Sequence, residues 1–563
     1  MTQYLTCAQG MPANIEKALT KRLTKFAWDG SGKPNASLDL LCAPTSMGGK
    51  DLLHLKYRNE AIELVWLKKL LSPPHKRPTW ASFANAILAR FASKTPVAPS
   101  ETRMNFFLQS WNVNQTKLPS HLRRILKTAK TYNLTLDATA FHPSLLHSMP
   151  IWFHSGATQA LNRLNNHHDA KCLRRQHNIS SVGSVALLAG RTLSDDHRLS
   201  NFCHCPTCVQ VRTTHDCIQP AKCITFANEL LNCLPAKWLP SENILDEARE
   251  HLPIPAPRGE SCMFRANLIM ATHLENAFHI IRPDKTSHPL PARRAALPNP
   301  PHPPAETEVL CCATSVINDD GHHIAGGCVW FGTNDARNFS FQPTPNELTS
   351  KTTGALGAML LLLQRIAPDV HLKIHLDDKN IIQNLTKQLD TNEDLDWFHL
   401  VGDGDLYRAL VAKLKSRSVD TTLEKWEKDK PTANQKEALE LAKSALENPH
   451  LCNVATEIDP AFSLRGQRLL AGSQRSFYKH LVSLHIQKHY SPKVSLTNNI
   501  LATQRSVKDL WGATPTPPQL WKSTWSRDIP KNIRNFLWKC LHNKYKIGTY
   551  WRNIPNFEER GSC

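Results

Sequence analysis

Between Cys203 and Cys223 the chain reads CHCPTCVQVRTTHDCIQPAKC, with five cysteines at C-x-C-x2-C-x8-C-x5-C and His204 and His215 interleaved. Thiolates two to five residues apart can converge tetrahedrally on one Zn2+, because a tight turn brings both sulfurs to about 2.3 Å from the metal. On ligand spacing the best four are Cys205, Cys208, Cys217 and Cys223, which predicts a single zinc site. Arg198, Arg212 and Lys222 lie around the cluster and suit a knuckle facing nucleic acid. The chain holds sixteen cysteines in all, so five within this one stretch are hard to read as incidental loop residues. The N-terminus, MTQYLTCAQGMP, has no basic n-region and no apolar h-region. A chain without a secretory signal uses cysteine as reduced thiol or metal ligand rather than as a disulfide framework, which points to an intracellular protein, nuclear or cytoplasmic.

The second chemical candidate is a carboxylate. In LKIHLDDKNIIQNLTKQL, an apolar strand (Leu372, Ile374, Leu376) runs into Asp377-Asp378, and Ile381, Ile382, Leu385 and Leu389 then keep helical spacing. A carboxylate at the end of a strand can hold a divalent cation. It can equally accept the orphan N–H groups of the helix that follows.

These candidates need elements to position them. With 563 residues the chain exceeds one core, and its net charge of +20 suits a polyanionic partner, with Trp28, Trp66, Trp538 and Trp551 among the basic residues. No run of eighteen apolar residues predicts a membrane span. Helical spacing at Ile15, Leu19, Leu23 and Phe26 predicts an amphipathic first helix carrying Arg22 and Lys25 outside. A second helix, Tyr57–Leu71, turns Ala61, Ile62, Val65, Trp66 and Leu70 inward. Proline density from Leu252 to Ala305 predicts a linker, with Arg293 and Arg294 as solvated or phosphate-contacting cations. Thereafter the pattern predicts strands at Val309–Ile317, Ala325–Phe331 and Asn338–Phe341 and a helix at Gly354–Leu363. The strand and helix of the carboxylate segment come next. A helix at Asp405–Arg417, a strand at Thr421–Trp426 and a helix at Asn434–Leu446 complete the run. The expected architecture is α/β and multi-domain. It comprises a helical region at 1–100, a helical connector at 101–250 holding the Cys-rich insert at 203–223, a linker at 251–305, a mixed-sheet domain at 306–447 and a helical tail at 448–563.

Several stretches carry a resemblance to a known family. MTQYLTCAQGMPANIEKAL, the FAWDG at Phe26–Gly30 and APTSMGGKDLLHLKYRNEAIELVWLKKLL resemble the segment that follows the reverse-transcriptase core in non-LTR retrotransposon polyproteins. Lys50 and Asp51 stand where that family usually has Leu and Gly. The polymerase carboxylates lie upstream of this segment in the family, so no copying activity is expected. The Cys-rich stretch resembles one between the polymerase and nuclease regions of fungal-type elements. GGCVWFGTNDARNFSF, TTGALGAMLLLLQRIAP and IHLDDKNIIQNLTKQL, in the order β-β-β-α-β-α-α-β-α, resemble ribonuclease H type 1. WSRDIPKNIRNFLWKCLHNKYKIGTYWRNIPNFEERGSC resembles the zinc-binding segment that ends many such polyproteins. Cys563 would be the first ligand there, and the site is not expected to form from these residues.

The ribonuclease H resemblance implies four carboxylates on two Mg2+, one ion activating water and the other stabilising the leaving oxygen. Asp377 matches one of the four. Ala313 (or Thr314), Ala355 and Leu439 stand at the other family positions, and Lys428-Asp429-Lys430 replaces the family's His loop. One carboxylate does not hold two metals, so hydrolysis of RNA in RNA–DNA hybrids is expected to be lost, with Asp377 left as a helix cap. Asp319, Asp320, Glu437 or Glu440 would have to substitute in an active enzyme. The sequence therefore predicts a retroelement-derived protein that binds RNA–DNA hybrid or duplex without sequence preference through dispersed cations. Those cations are Arg22, Lys25, Arg123, Arg124, Arg293, Arg294, Lys531 and Arg534. The alternatives are an active Mg2+-dependent ribonuclease H and an unselected open reading frame without function.

Overall fold

The structure, a computed structural model, describes residues 2–28, 35–93, 99–191, 197–198, 202–240, 261–266, 270–286, 289–291, 306–318, 323–344, 349–426, 431–447, 450–545, 547–552 and 554–561. Helix α1 (Ala13–Trp28) begins after Pro12, but its apolar stripe does not face a core: Ile15 and Phe26 are exposed, and only Trp28 is buried. The helix is instead tied on by a polar contact, with the Asn59 side-chain amide donating to Glu16 at 2.6 Å. Helix α2 (Leu55–Leu70) buries Ala61, Ile62, Leu64, Leu67 and Leu70. Helices α3 (Ser120–Thr131), α4 (Asp169–Arg175), α5 (Val182–Ala189), α6 (Pro206–His215) and α7 (Pro220–Asn232) follow.

One apolar cluster joins α2, α3, α5 and α7 and reaches on to Phe278, Ile280, Phe477 and Leu481. The segments expected at 1–100 and 101–250 thus share a core. Part of the expected linker belongs to it as well. Strand β1 (Thr135–Leu136) pairs antiparallel with Phe278–Ile280, which pairs in turn with Gln467–Arg468. Next to β1, the fully buried Asp137 carboxylate accepts from Lys237 at 2.6 Å and from Arg282 at 3.2 Å. Three segments distant in sequence are pinned at one charge, and a buried carboxylate requires such partners. Arg293 and Arg294 lie outside the described residues.

The large sheet has seven strands. They are β2 (Ser261–Met263), β3 (Thr307–Ile317), β4 (His323–Trp330), β5 (Phe339–Pro343), β6 (Leu372–Leu376), β7 (Thr421–Lys425) and β8 (Leu451–Cys452), in the spatial order β8-β5-β4-β3-β6-β7-β2. β3, β4 and β5 form an antiparallel meander; β6 lies parallel to β3 and β7 parallel to β6. Helix α8 (Lys351–Arg365) starts at a reciprocal cap between Ser350 and Thr353 and is apolar almost all round, because it lies between the sheet and other helices. Helices α9 (Lys379–Leu385) and α10 (Gly404–Ser416) fill the crossover between β6 and β7. Helix α11 (Ala433–Glu447) packs Ala438 and Ala442 on the opposite face, against Cys312 and Cys328. Adjacent glycines in β4 admit both helices. A Cβ on Gly326 would fall 2.3 Å from the Ala442 carbonyl oxygen of α11, and one on Gly327 would fall 2.7 Å from the Gly354 carbonyl oxygen of α8.

The C-terminal helices are α12 (Gln474–His489), α13 (Val494–Trp511), α14 (Pro517–Thr524) and α15 (Lys531–Leu541). Leu496, Ile500, Leu520, Trp521 and Trp538 from the last three close over Trp28, Leu40 and Leu41 near the N-terminus. Among the described residues no helix is long and apolar enough to cross a membrane.

Candidate metal centres and a closed carboxylate site

The Cys-rich stretch is organised by α6. Pro206 opens this helix in the first turn, where a missing N–H costs nothing, and Cys205 is its N-cap, with its sulfur accepting from Cys208 N at 3.5 Å. At the other end Asp216 turns the chain through a left-handed conformation (φ 49°) and delivers Cys217 to the interior. The two ends of α6 reach different partners. At its start, Cys203, Cys205 and Cys208 surround His197, whose Nδ1 lies 3.3, 3.6 and 3.5 Å from their sulfurs. At its end, the Cys217 sulfur lies 3.8 Å from that of Cys172 on α4 and 3.6 Å from that of Cys223 in the first turn of α7. His177 completes this second group, and within each group of four all ligand atoms lie within 4.8 Å of one another.

The four residues expected to share one ion are therefore divided, Cys205 and Cys208 in one group and Cys217 and Cys223 in the other. The physical reason is the ten-residue helix between the pairs, which the spacing alone did not reveal as rigid. His204 and His215 join neither group. Sequence reasoning missed Cys172, His177 and His197. The Cys-x4-His pair at 172 and 177 was a usable signal; His197 lies just upstream of the cysteine run.

Within each group the thiols shift one another in opposite directions. Burial alone would push the Cys205 thiol up, but donors from Cys208 and His197 bring it down to about 6, while burial pushes Cys208 up to about 12. Hydrogen bonding with Cys223 draws Cys217 down to about 4, and Cys223 rises in consequence. None of these cysteines is in a disulfide. Each group offers three sulfurs and one imidazole, and both could hold a metal ion. Four protein ligands close a tetrahedron, leaving no open position for substrate, so such a site is structural rather than catalytic. A third grouping, His167, His168 and Asp169, is exposed apart from the carboxylate, and the Lys222 ammonium already stands 3.3 Å from Asp169.

The carboxylate segment is arranged differently from a metal site. Asp377 ends β6 and is 3% exposed; its Oδ2 is ion-paired with Lys351 at the start of α8. The helix cap is Asp378, which accepts from Asn380 N at 2.8 Å, so the capping role expected of Asp377 falls to its neighbour. Asp403 accepts from Thr353 Oγ1 at 2.9 Å, and burial holds its carboxyl above the usual range. Ala313 and Ala355 are buried in the core between sheet and helices. A Cβ on Gly354 would fall 2.9 Å from that of Ala313, so helix and strand meet there at closest approach. Leu439 is half-buried against the cluster around Cys312 and Trp426 on the other face. Among the described residues no three carboxylates bring their oxygens within 4.8 Å of one another. Glu437 instead accepts from Thr333 Oγ1 at 2.9 Å, Glu440 pairs with Lys443 at the surface, and Asp319 and Asp320 lie outside the described residues.

The cations expected to meet phosphate fall on separate elements. Arg22 and Lys25 are exposed on α1 and Lys531 is exposed at the start of α15, with Arg534 half-buried beside it. Lys50 bridges the two helices, donating to Ala27 O and Asn535 Oδ1, each at 2.8 Å. Arg123 donates to the carbonyls of Thr116 and Leu118, and Arg124 is committed to Glu63 at 2.8 Å. Compared with known proteins, the chain matches no family model, and no curated protein matches it.

Proposed function

We propose that this chain is a nucleic-acid-binding derivative of a non-LTR retrotransposon polyprotein, with a ribonuclease H-like domain that no longer cleaves. One observation carries the reading. The sheet has a three-strand meander followed by two parallel strands, with helices in the order the resemblance implies. At the positions where that chemistry needs carboxylates stand Ala313 and Ala355, both buried, and Leu439, while the Asp377 charge is met by Lys351. Two-metal hydrolysis needs hard oxygen ligands converging on both ions, and an ammonium against the remaining carboxylate opposes a cation. Zinc in the cysteine-rich segment is the cofactor of this reading, since a set of three thiolates and one imidazole suits it. Mg2+ has no role in it.

The partner is RNA–DNA hybrid or duplex, held through its backbone. A net charge of +20, with Arg22, Lys25 and Lys531 exposed on bridged helices, suits phosphate contact rather than base readout. A labelled hybrid incubated with the chain in Mg2+ is expected to stay intact, while binding falls about tenfold or more between 50 and 200 mM salt. Cleavage that Asp377→Asn abolishes would establish the active-enzyme alternative. Binding that ignores salt, or that selects one sequence, would sink the reading.

A further inference from the structure

We infer that the cysteine-rich region holds two zinc ions, unequal in consequence, with α6 strung between them. The ligands are His197, Cys203, Cys205 and Cys208 at one site and Cys172, His177, Cys217 and Cys223 at the other. This deepens the zinc part of the reading above and is independent of its nucleic-acid part.

The geometry fits the ion. A tetrahedron with about 2.3 Å to sulfur and about 2.05 Å to nitrogen has S···S edges near 3.8 Å and N···S edges near 3.6 Å. At the Cys172 site two S···S separations are 3.8 and 3.6 Å, and at the His197 site the three N···S separations are 3.3, 3.6 and 3.5 Å. Pairwise thiol hydrogen bonds account for single contacts, but three sulfurs and one imidazole with all ligand atoms within 4.8 Å of one another, in two separate groups, is the arrangement a tetrahedral ion imposes. A second observation points the same way. His177 is 7% exposed, and among the described residues its imidazole has no polar neighbour to satisfy it other than the Cys217 thiol. A buried imidazole left so costs free energy that a metal bond removes.

The sites differ in what they hold together. The Cys172 site joins α4 to α7 across residues 172–223, and Cys217 and Cys223 are part of the largest apolar core. The His197 site closes only residues 197–208, and its three cysteines form a small cluster of their own with Ala221. Closing the longer loop removes more entropy from the unfolded chain, and the ion there also completes the packing of a core. The His197 ion can leave with local rearrangement; the Cys172 ion leaves only when the core opens.

Zinc content measured on the full chain after exhaustive dialysis against metal-free buffer tests the count. Two ions per wild-type chain and one per His197→Ala chain are expected, the variant keeping its far-UV circular dichroism. One ion in both proteins is the result of a single site on Cys205, Cys208, Cys217 and Cys223 and overturns the inference, as does none. Timed release to a zinc chelator tests the inequality. The wild type should release one ion before the circular dichroism changes and the second together with unfolding, and His197→Ala should lack the early phase. Release of both ions in a single phase refutes it. Hybrid binding is read on the same samples: two ions without binding overturns the functional reading alone, and fewer than two with binding overturns this inference alone.

Discussion

Ala313, which stands where the proposed ancestry would place a carboxylate, is a packing requirement in this fold. Its methyl meets the backbone of α8 at Gly354, where there is no space for a larger group and no water for a charge. Ala313→Asp is therefore expected to destabilise the fold by about 3 kcal/mol or more in urea unfolding, without restoring hybrid cleavage. Lys351 and Asp377 form the complementary case. The lysine is partly solvent-exposed, and solvent screening limits what the pair contributes. Lys351→Met should still cost about 1–2 kcal/mol, because it strips the ionic partner from a buried carboxylate. The double variant Lys351→Met with Asp377→Asn should recover most of that loss, and a double-mutant cycle that shows no coupling would remove the pair as an explanation. The sequence shows which residues stand at these positions but not what each one touches. That Asp377 pairs is set by where β6 ends against the first turn of α8, whereas Asp378 caps through a contact two residues along its own segment.

The longer elements of the large sheet were legible because they are periodic, whereas its edge strands Ser261–Met263 and Leu451–Cys452 fell in the expected linker and helical tail. β3, β4, α8, α10 and α11 fall within a few residues of the expected positions, since alternation and helical spacing each repeat several times in them. The short strands were not legible. Thr135–Leu136, Phe278–Ile280 and Gln467–Arg468 are too brief to show a period, and they exist only because distant segments supply their hydrogen bonds. The helix between the two cysteine groups failed to register for a related reason: ligand spacing measures residues along the chain, whereas a helix converts ten residues into about 15 Å. At this scale the paired glycines of β4 make a prediction. Gly326→Val drives a side chain into α11 and Gly327→Val drives one into α8, so each should cost about 1–3 kcal/mol in denaturant unfolding. The two act on opposite faces, and their effects on the helices should be separable, with Gly326→Val loosening the Cys312–Cys328 side and Gly327→Val the Ala313 side.

For the molecule as a whole, several histidines are buried in neutral form. Burial lowers His154, His279 and His542 to about 4 and His480 to about 3. In the unfolded chain each would titrate near 6.5. Between these values the unfolded state binds the protons and the folded state does not, so stability is complete above about pH 6.5 and is lost as pH falls towards 4. Each such group steepens the loss by up to about 1.4 kcal/mol per pH unit, and the unfolding midpoint should drop measurably from pH 7 to pH 5. A midpoint unchanged over that range would mean that these rings are accessible in the native state. The packing of residues 28–48 against residues 496–538 has a different kind of consequence. Trp538 Nε1 donates to the Gly48 carbonyl at 2.7 Å, and Leu41 shares its core with Leu496 and Trp521. During synthesis the first of these partners leaves the ribosome long before the last is made. At about 5–20 residues per second, Leu41 and Trp28 wait roughly half a minute or more without the surface that covers them. Until the segment around Trp538 has been made, Trp28 and Leu41 present an apolar face in need of a temporary companion.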